Sequence, residues 1–340
     1  MPESNINKIL IIAGVMIAVL VGAFFIWWNT KFEISNDFPT ASSGFLGLQK
    51  EISNLSGLEC PNRSKRPVAV MMAGDLIAQP LSGIGEADLV FEMPVAPNGI
   101  TRMMAVFQCK SPTEIGSIRS ARNEFIPLAA GVGAILAHWG GEREALVRLD
   151  GGIIDNVDAL KYEGTVFYRK KGVKAPHNGF ANLLSIIEKS ENLGYDLQNE
   201  FTGYIHSDKN RRERSLSNIV SEINLYRPPF NVKWVYNKDT NTYARTRKNI
   251  PEIDRLSGKP IEARTIIVLE TKSRVINELY ISVDVAGEGV AKIYQNGILM
   301  TGRWQKNSKD LTGKLYFYDG DGREIEFLPG KKWIEITTEN

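Results

Sequence analysis

The sequence has few of the side chains that most often bind metal ions, with only two cysteines and three histidines among 340 residues. It contains no CxxC pair and no His/Cys cluster with zinc spacing, so we predict no metal site. Charge of either sign is not in excess, since 41 Lys+Arg stand against 39 Asp+Glu. A balanced chain lacks the positive field that attracts DNA or RNA, and we expect no nucleic-acid partner.

Motifs that identify an enzyme are also missing. The chain has no nucleophile elbow, no Ser-x-x-Lys and no HExxH, and it has no dinucleotide-binding or Walker pattern. The sequence therefore identifies no catalytic residue and no cofactor.

One long apolar run is present, from Ile9 to Trp28, with Lys8 and Lys31 on either side. At about 1.5 Å per residue, such a helix spans a hydrocarbon core of about 30 Å, and its tryptophans fall at an interface. A secretory signal core is shorter, about 7–15 residues, and is followed by small residues rather than tryptophans. The run predicts an uncleaved single-pass anchor in the cell membrane at residues 1–30, with the bulk of the chain extracytoplasmic.

The remaining chain divides into three parts. Residues 31–63 are rich in Ser, Asn, Gly and Lys and are predicted to form a tether, with one short helix near residues 46–55. In residues 64–202, predicted strands at 68–72, 88–95 and 100–108 are followed by a helix at 124–132, a strand at 134–137, a helix at 142–149, a strand at 165–169 and a helix at 178–190. This alternation predicts an α/β layered domain.

Residues 203–340 are predicted to form a β-rich domain, so that the whole body has an α+β or α/β fold. Short strands there are separated by turn sequences such as Asn296-Gly297 and Asp321-Gly322, which are strong hairpin signals. Cys60 and Cys109 can pair outside the cell, but the sequence alone does not establish that they are close.

Three arginines are candidate ligand-binding residues. Arg119 and Arg122 lie about one helical turn apart at a predicted loop-to-helix junction, where backbone N–H groups also favour anions. Arg102 joins them if the predicted hairpin runs alongside. The alternative is structural, in which these arginines pair with Glu92, Glu86 or Asp88.

Two histidine motifs complete the predicted site. His138 precedes Gly140 and Gly141 at the carboxyl end of a predicted buried strand, the edge at which open α/β sheets bind ligands. His177 precedes Asn178, which we expect to be the N-cap of the following helix. A satisfied structural histidine and a simple helix cap are the alternatives.

These motifs resemble the YerB-like family, a mostly Gram-positive bacterial group of predicted envelope lipoproteins with two domains and no established activity. The resemblance rests on Arg66-Pro67-Val68, Gly99-Ile100-Thr101-Arg102, Ile115-Gly116-Ser117-Ile118-Arg119-Ser120-Ala121-Arg122, His138-Trp139-Gly140-Gly141, Ala175-Pro176-His177-Asn178, Gly302-Arg303-Trp304 and Pro329-Gly330-Lys331-Lys332-Trp333. It implies an envelope location, with the apolar helix in place of a lipid anchor.

Three functions are consistent with these patterns. The first is binding of an anionic ligand, such as a phosphorylated or lipid-linked glycan, in a cleft lined by the arginines, the histidines and Glu92. The second is phosphoryl or glycan transfer, by a weaker resemblance in motif order to LytR-CpsA-Psr enzymes, with a cation held by Asp75 or Asp88. The third is a scaffold for cell-wall synthesis proteins. The partners that these functions imply are a cell-wall precursor or an envelope protein.

Overall fold

The computed structural model describes residues 51–207, 219–225 and 231–338. The predicted anchor and most of the predicted tether lie outside these residues. Within them, no helix is both long enough and apolar enough to cross a membrane.

Strands dominate the body. In chain order they are β1 (Val68–Ala73), β2 (Leu89–Pro94), β3 (Thr101–Phe107), β4 (Ile115–Gly116), β5 (Ile135–His138), β6 (Asn156–Asp158), β7 (Phe167–Arg169), β8 (Gly179–Ala181), β9 (Glu222–Leu225), β10 (Val232–Asn237), β11 (Thr242–Arg247), β12 (Ile250–Pro251), β13 (Glu262–Ala263), β14 (Thr265–Thr271), β15 (Ser273–Val275), β16 (Ile281–Val283), β17 (Gly287–Gln295), β18 (Ile298–Lys306), β19 (Tyr316–Tyr318) and β20 (Lys332–Thr338).

Helices occur between residues 125 and 192. They are α1 (Phe125–Gly131), α2 (Arg143–Asp150), α3 (Ala159–Tyr162) and α4 (Leu183–Asn192), and two short 3₁₀ turns lie at Leu76–Ala78 and Ile84–Glu86. The fold is thus α+β and rich in strands.

A ten-stranded mixed sheet runs through the body in the order β19-β18-β17-β14-β20-β2-β3-β1-β5-β6. Strands of the second half of the sequence form one side of this sheet and strands of the first half the other, and the two sides meet where β20 pairs in parallel with β2. On its other edge, β20 pairs in parallel with β14. On the side formed by the first half, β1 pairs antiparallel with β3 and parallel with β5. At β1 the sheet is buried on both faces, as the near-continuous apolar sequence of that strand indicates, whereas residues of β18 alternate between partly buried and exposed over most of the strand.

Each face of the sheet carries one apolar core. On one face, Met71 and Met104 pack with α1, α2 and strands of the second half. On the other, Val70 and Met72 pack with α4 and with a five-stranded sheet of order β12-β11-β10-β9, in which β13 also pairs with β11. A three-stranded sheet, β4-β8-β7, and the two-stranded β15–β16 hairpin complete the structure.

Several local predictions are confirmed. Strands β2 and β3 form the predicted antiparallel hairpin. Asn296 and Gly297 join β17 to β18 with φ values of 59° and 75°, both positive, as a type I′ turn requires.

Two local predictions are wrong. The helix expected from residue 178 begins at Leu183, and its N-cap is Asn182, whose side chain accepts a hydrogen bond from the Leu184 N–H. In the described part of the helix predicted at 46–55, Ile52 instead forms a β-bridge with Glu59.

Cys60 and Cys109 form a disulfide, with their Cα atoms 4.8 Å apart. The bond ties the segment that precedes β1 to the chain just after β3. The sequence alone did not establish that these two cysteines are close, and the fold brings them together.

Candidate anion-binding site

The candidate site lies at the carboxyl ends of β1 and β5, where a loop enters between the two parallel strands. Its Ser117 carbonyl accepts the Ala73 N–H at 3.0 Å, and its Arg119 N–H donates to the Met71 carbonyl at 2.9 Å. On its other side, the Arg119 carbonyl accepts the Trp139 N–H at 3.0 Å. The loop thus extends the sheet and carries Arg119 to the edge at which α/β sheets bind ligands.

Arg102 reaches the same edge from the start of β3. It is 4% exposed, and its Nη1 donates to Asp75 Oδ2 at 3.1 Å. Burial, together with repulsion from Arg119 and Arg122, lowers the pKa of Arg102 to about 10 although Asp75 opposes the shift. Arg102 therefore remains charged at neutral pH, at an energetic cost.

Arg119 and Arg122 are half-buried beside it. Arg119 Nη1 donates to the Pro176 carbonyl at 3.0 Å, and burial lowers the pKa of Arg119. Arg122 Nη1 donates to the Ala121 carbonyl at 3.1 Å. Its Nε lies 3.8 Å from Glu142 Oε2, which is an ion pair but too long for a hydrogen bond.

His177 is the fourth member of the group. It is 7% exposed, and its pKa lies below the usual 6.5 because of burial and then repulsion from Arg119. This shift favours the neutral form of the imidazole. We call Arg102, Arg119, Arg122 and His177 the arginine cluster.

The arginine cluster has more positive charge than its surroundings neutralise. In the part of the chain that the structure describes, two carboxylates, Asp75 and Glu142, form ion pairs with its three arginines. Among those same residues, no hydrogen-bond partner exists for the buried Nε atoms of all three arginines or for His177 Nδ1. Buried donors and charges without partners are costly, so the arrangement favours a bound anion.

His138 lies outside the arginine cluster. It is fully buried, with Nδ1 at 2.8 Å from the Gly140 carbonyl and Nε2 at 3.1 Å from Asn156 Oδ1. The neighbouring Gly140 has a φ of +59°, and its N–H donates to Asp158 Oδ1. His138 and Gly140 thus brace the end of β5, and Gly141 forms a bridge with Ala121.

Asn178 and Glu92 are also placed elsewhere. Asn178 Oδ1 accepts a hydrogen bond from Arg169 Nη1 at 3.2 Å, on the exposed side of the loop. Glu92 is fully buried, where Oε2 accepts from Arg245 Nη2 at 2.6 Å and Oε1 from Thr101 Oγ1 at 2.7 Å.

The structural alternative predicted that Glu92, Glu86 or Asp88 pairs with the three arginines. The ion pairs of the arginine cluster instead involve Asp75 and Glu142. Asp88 Oδ2 accepts the backbone N–H groups of Gln108 and Cys109, at the opposite end of β3 from Arg102. The acidic partner of Arg102 is Asp75, which the sequence indicated only as a cation ligand.

Sequence reasoning missed the residues that hold the loop of Gly74 and Asp75 in place. Arg247 Nη1 donates to the Gly74 carbonyl at 2.9 Å and so fixes the loop that carries Asp75. Arg247 is itself bonded to Glu252 at 2.7 Å. The available signal was the period-two pattern of β11, in which Tyr243, Arg245 and Arg247 all point inward.

Two cavities lie away from the arginine cluster. One of about 890 Å³ borders Cys109 and Lys331, and another of about 570 Å³ borders Arg66 and Lys314. In the second, Arg66 pairs with Asp155 and Lys314 with Glu324 at 2.6 Å. The cations that border this second cavity are already paired with carboxylates. Its volume alone therefore does not make it a better anion site than the arginine cluster.

Comparisons with known proteins agree with the architecture. Residues 55–196 match the N-terminal domain, and residues 222–334 the C-terminal domain, of the family described as protein of unknown function DUF3048. The predicted lipoprotein YerB of Bacillus subtilis (strain 168) is 29% identical over 286 residues, or 83% of this chain and 85% of YerB. The crystal structure of YerB from Bacillus subtilis matches with a TM-score of 0.75 and 28% identity, over 85% of this chain and 97% of that chain.

Both domain matches occur in the expected order, and the structural likeness spans nearly the whole described body. The sequence resemblance is confirmed, and the chain belongs to the YerB-like family of DUF3048 proteins.

Proposed function

We propose that this protein is a membrane-anchored, extracytoplasmic protein of the bacterial cell envelope that binds a phosphorylated ligand at the arginine cluster. The envelope location is supported by the YerB relative, which is named as a predicted lipoprotein, and by the apolar run at residues 9–28. The disulfide between Cys60 and Cys109 also favours an oxidising compartment.

The unneutralised charge of the arginine cluster carries the ligand proposal. Three guanidinium groups lie close enough for their charges to repel, which costs free energy in a site partly withdrawn from water. A phosphate or pyrophosphate group supplies several acceptor oxygens and negative charge to the unpartnered Nε donors. Arginine binds such groups through paired N–H donors, which is why its geometry suits them.

The members of the cluster have different roles in this proposal. Arg102 is held by Asp75 and provides a fixed charge at the base of the site. The side chains of Arg119 and Arg122 are mostly buried but keep some contact with solvent, 11% for Arg122, through which a ligand can reach them. A bound anion favours protonation of His177, so its Nδ1 then becomes a further donor.

The transferase alternative needs a cation ligand beside the arginines. Asp75 is paired with Arg102, and Asp88 lies at the other end of β3 with two backbone N–H groups on one oxygen. These contacts favour binding over transfer as the role of the arginines.

Titration calorimetry of the full chain in detergent with inorganic pyrophosphate tests the proposal. The double variant Arg119→Ala plus Arg122→Ala is expected to bind about tenfold more weakly, or worse, for each arginine lost. A hydrogen bond to a charged group contributes about 1.5–3 kcal/mol, and 1.4 kcal/mol is tenfold in affinity.

The matched control is Arg303→Ala plus Arg323→Ala, which removes the same charge from exposed positions around β19. We expect it to leave pyrophosphate affinity nearly unchanged. Equal binding by the parent and by the Arg119/Arg122 variant, or an equal loss in both double variants, would contradict a site at the arginine cluster.

A further inference from the structure

The β15–β16 hairpin presents an apolar tip to solvent. Val275 and Leu279 are each 68% exposed, and Ile276 is 55% exposed. The tip is nevertheless ordered, because Asn277 Oδ1 accepts the N–H groups of Leu279 and Tyr280 at 2.9 and 3.0 Å. A hydrogen-bonded turn therefore holds three large aliphatic side chains in water.

This hairpin lies directly beside the arginine cluster. The Tyr280 ring centroid is 5.0 Å from the Arg122 guanidinium carbon. The Ile281 N–H donates to the Val95 carbonyl at 3.4 Å, which holds the hairpin against the end of β2. The hairpin tip thus forms an apolar rim beside a cationic site.

A second apolar segment borders the same cluster. Leu76 and Ile77 directly follow Asp75, the partner of Arg102, and are 39% and 64% exposed. Exposed aliphatic groups next to Arg122 and next to the partner of Arg102 form an amphipathic surface with the arginine cluster. Such a surface suits a bilayer interface, where acyl chains cover apolar groups and headgroup phosphates meet arginines.

The charges of the hairpin itself do not supply the attraction. Lys272 and Arg274 are offset by Glu278 and Asp284 in the same segment. Electrostatic attraction to an anionic surface therefore comes from the arginine cluster.

We infer that the hairpin tip and the Leu76–Ile77 segment insert into the surface of a phospholipid bilayer, and that the arginine cluster binds an anionic lipid headgroup there. This inference rests on the proposed anion-binding function and names its ligand class as a membrane lipid. It makes the bilayer a second attachment point, distinct from the apolar run at residues 9–28.

The chain length permits this contact. Glu51 begins the described body next to the segment tied to Cys109, at the opposite end of β3 from Arg102. The 20 or so residues between Lys31 and Glu51 extend to about 70 Å at most, whereas the seven residues of β3 span about 24 Å.

The test uses the full chain reconstituted in vesicles of phosphatidylcholine, with or without phosphatidylglycerol. An environment-sensitive fluorophore is attached at Ile276→Cys, and in a control at Ile250→Cys, an isoleucine of β12 that is also 68% exposed. In vesicles with phosphatidylglycerol, we expect emission at position 276 to shift to shorter wavelength and to be quenched by brominated acyl chains. Position 250 is expected to show neither effect.

Adding Arg119→Ala plus Arg122→Ala to the Ile276→Cys chain is expected to remove most of that shift. A label at 276 that stays solvated in both vesicle types overturns the inference, even if pyrophosphate binding is intact and the proposed function survives. A shift that is indifferent to phosphatidylglycerol or to the two arginines also overturns it, because the cluster then binds no lipid headgroup. Loss of pyrophosphate binding in the parent chain would instead contradict the proposed function.

Discussion

Buried cations set much of the chemistry of individual residues in this protein. Lys332 is fully buried, with Nζ at 2.7 Å from both the Leu55 carbonyl and His206 Nε2. Burial lowers its pKa to about 7, and burial together with Lys332 lowers the pKa of His206 to about 3. Unlike the arginine cluster, this pair is enclosed and hydrogen-bonded, which indicates a structural role.

We predict that Lys332 makes stability depend on pH. Its pKa is lower in the folded chain than in the unfolded one, so between about 7 and 10.5 the unfolded chain binds more protons. The free energy of unfolding therefore rises with pH, by at most about 1.4 kcal/mol per pH unit from this residue. In urea unfolding, the free energy of unfolding of Lys332→Met relative to that of the parent chain should be highest near pH 7. This relative free energy should fall as pH increases, because only the parent chain gains stability from Lys332.

The exposed substitution Lys309→Met is the control for this measurement, and we expect it to leave the slope of stability against pH unchanged. A difference between Lys332→Met and the parent chain that does not vary with pH would refute the shifted pKa.

Residue spacing brought Arg102, Arg119, Arg122 and His177 to notice, and the fold places them together. Nothing in the sequence separated His138 from these four residues. In the structure, alternation along β5 puts His138 on the face of Leu136 and away from Trp139, outside the arginine cluster. Which face of a buried strand meets a ligand depends on what packs there. Sequence periodicity alone does not contain that information.

At the scale of elements, the start of α4 shows how a local signal is misplaced. Asn178 and Asn182 both precede apolar residues and both favour N-caps. The intervening residues belong to β8, which pairs with β4 and β7, so the helix starts only after that strand ends. Tertiary pairing therefore decides between two caps that have similar intrinsic preference.

We predict that Asn182→Ala lowers the free energy of unfolding by about 1 kcal/mol, because the Leu184 N–H loses its capping partner. Asn178→Ala is the matched control and removes only a partly exposed hydrogen bond with Arg169. In denaturant unfolding, Asn182→Ala should have a lower midpoint than Asn178→Ala. Equal midpoints would mean that Asn182 does not cap the helix in solution.

Strand β11 shows a second limit of local pattern. Arg245 is 1% exposed, between Glu92 and Glu252, with the Trp333 ring centroid 5.0 Å from its guanidinium carbon. Glu92 is paired in register with Glu335 on β20, so two buried carboxylates stand side by side and need a cation. The requirement for Arg245 arises from that long-range pairing and is invisible in the sequence of β11 itself.

At the scale of the whole molecule, the sheet joins the two matched domains. Strand β20 of the second half pairs with β2 of the first, and each apolar core contains residues from both halves. The disulfide adds a covalent constraint between segments 49 residues apart. In the chain-entropy description, such a link stabilises mainly by restricting the unfolded chain.

Reduction of Cys60–Cys109 is predicted to lower the free energy of unfolding by about 4 kcal/mol, the entropy of closing a loop of about 50 residues. Urea titrations with and without a phosphine reductant measure the change. The double variant Cys60→Ala plus Cys109→Ala should behave like the reduced chain and should not respond to reductant. Identical midpoints for oxidised and reduced chains would contradict this account.

The sequence by itself determined the apolar run at residues 9–28, the hairpins with Asn-Gly and similar turns, and the family. The apolar run and the turns depend on neighbours within a few residues, through backbone preference and the period of apolar side chains, and the family follows from motifs read along the chain. Tertiary structure alone decided that Arg102 pairs with Asp75, that Arg122 meets Tyr280, and that β2 pairs with β20. Such contacts join residues far apart in the chain, and the burial, charge repulsion and packing that select them exist only once the sheet has formed.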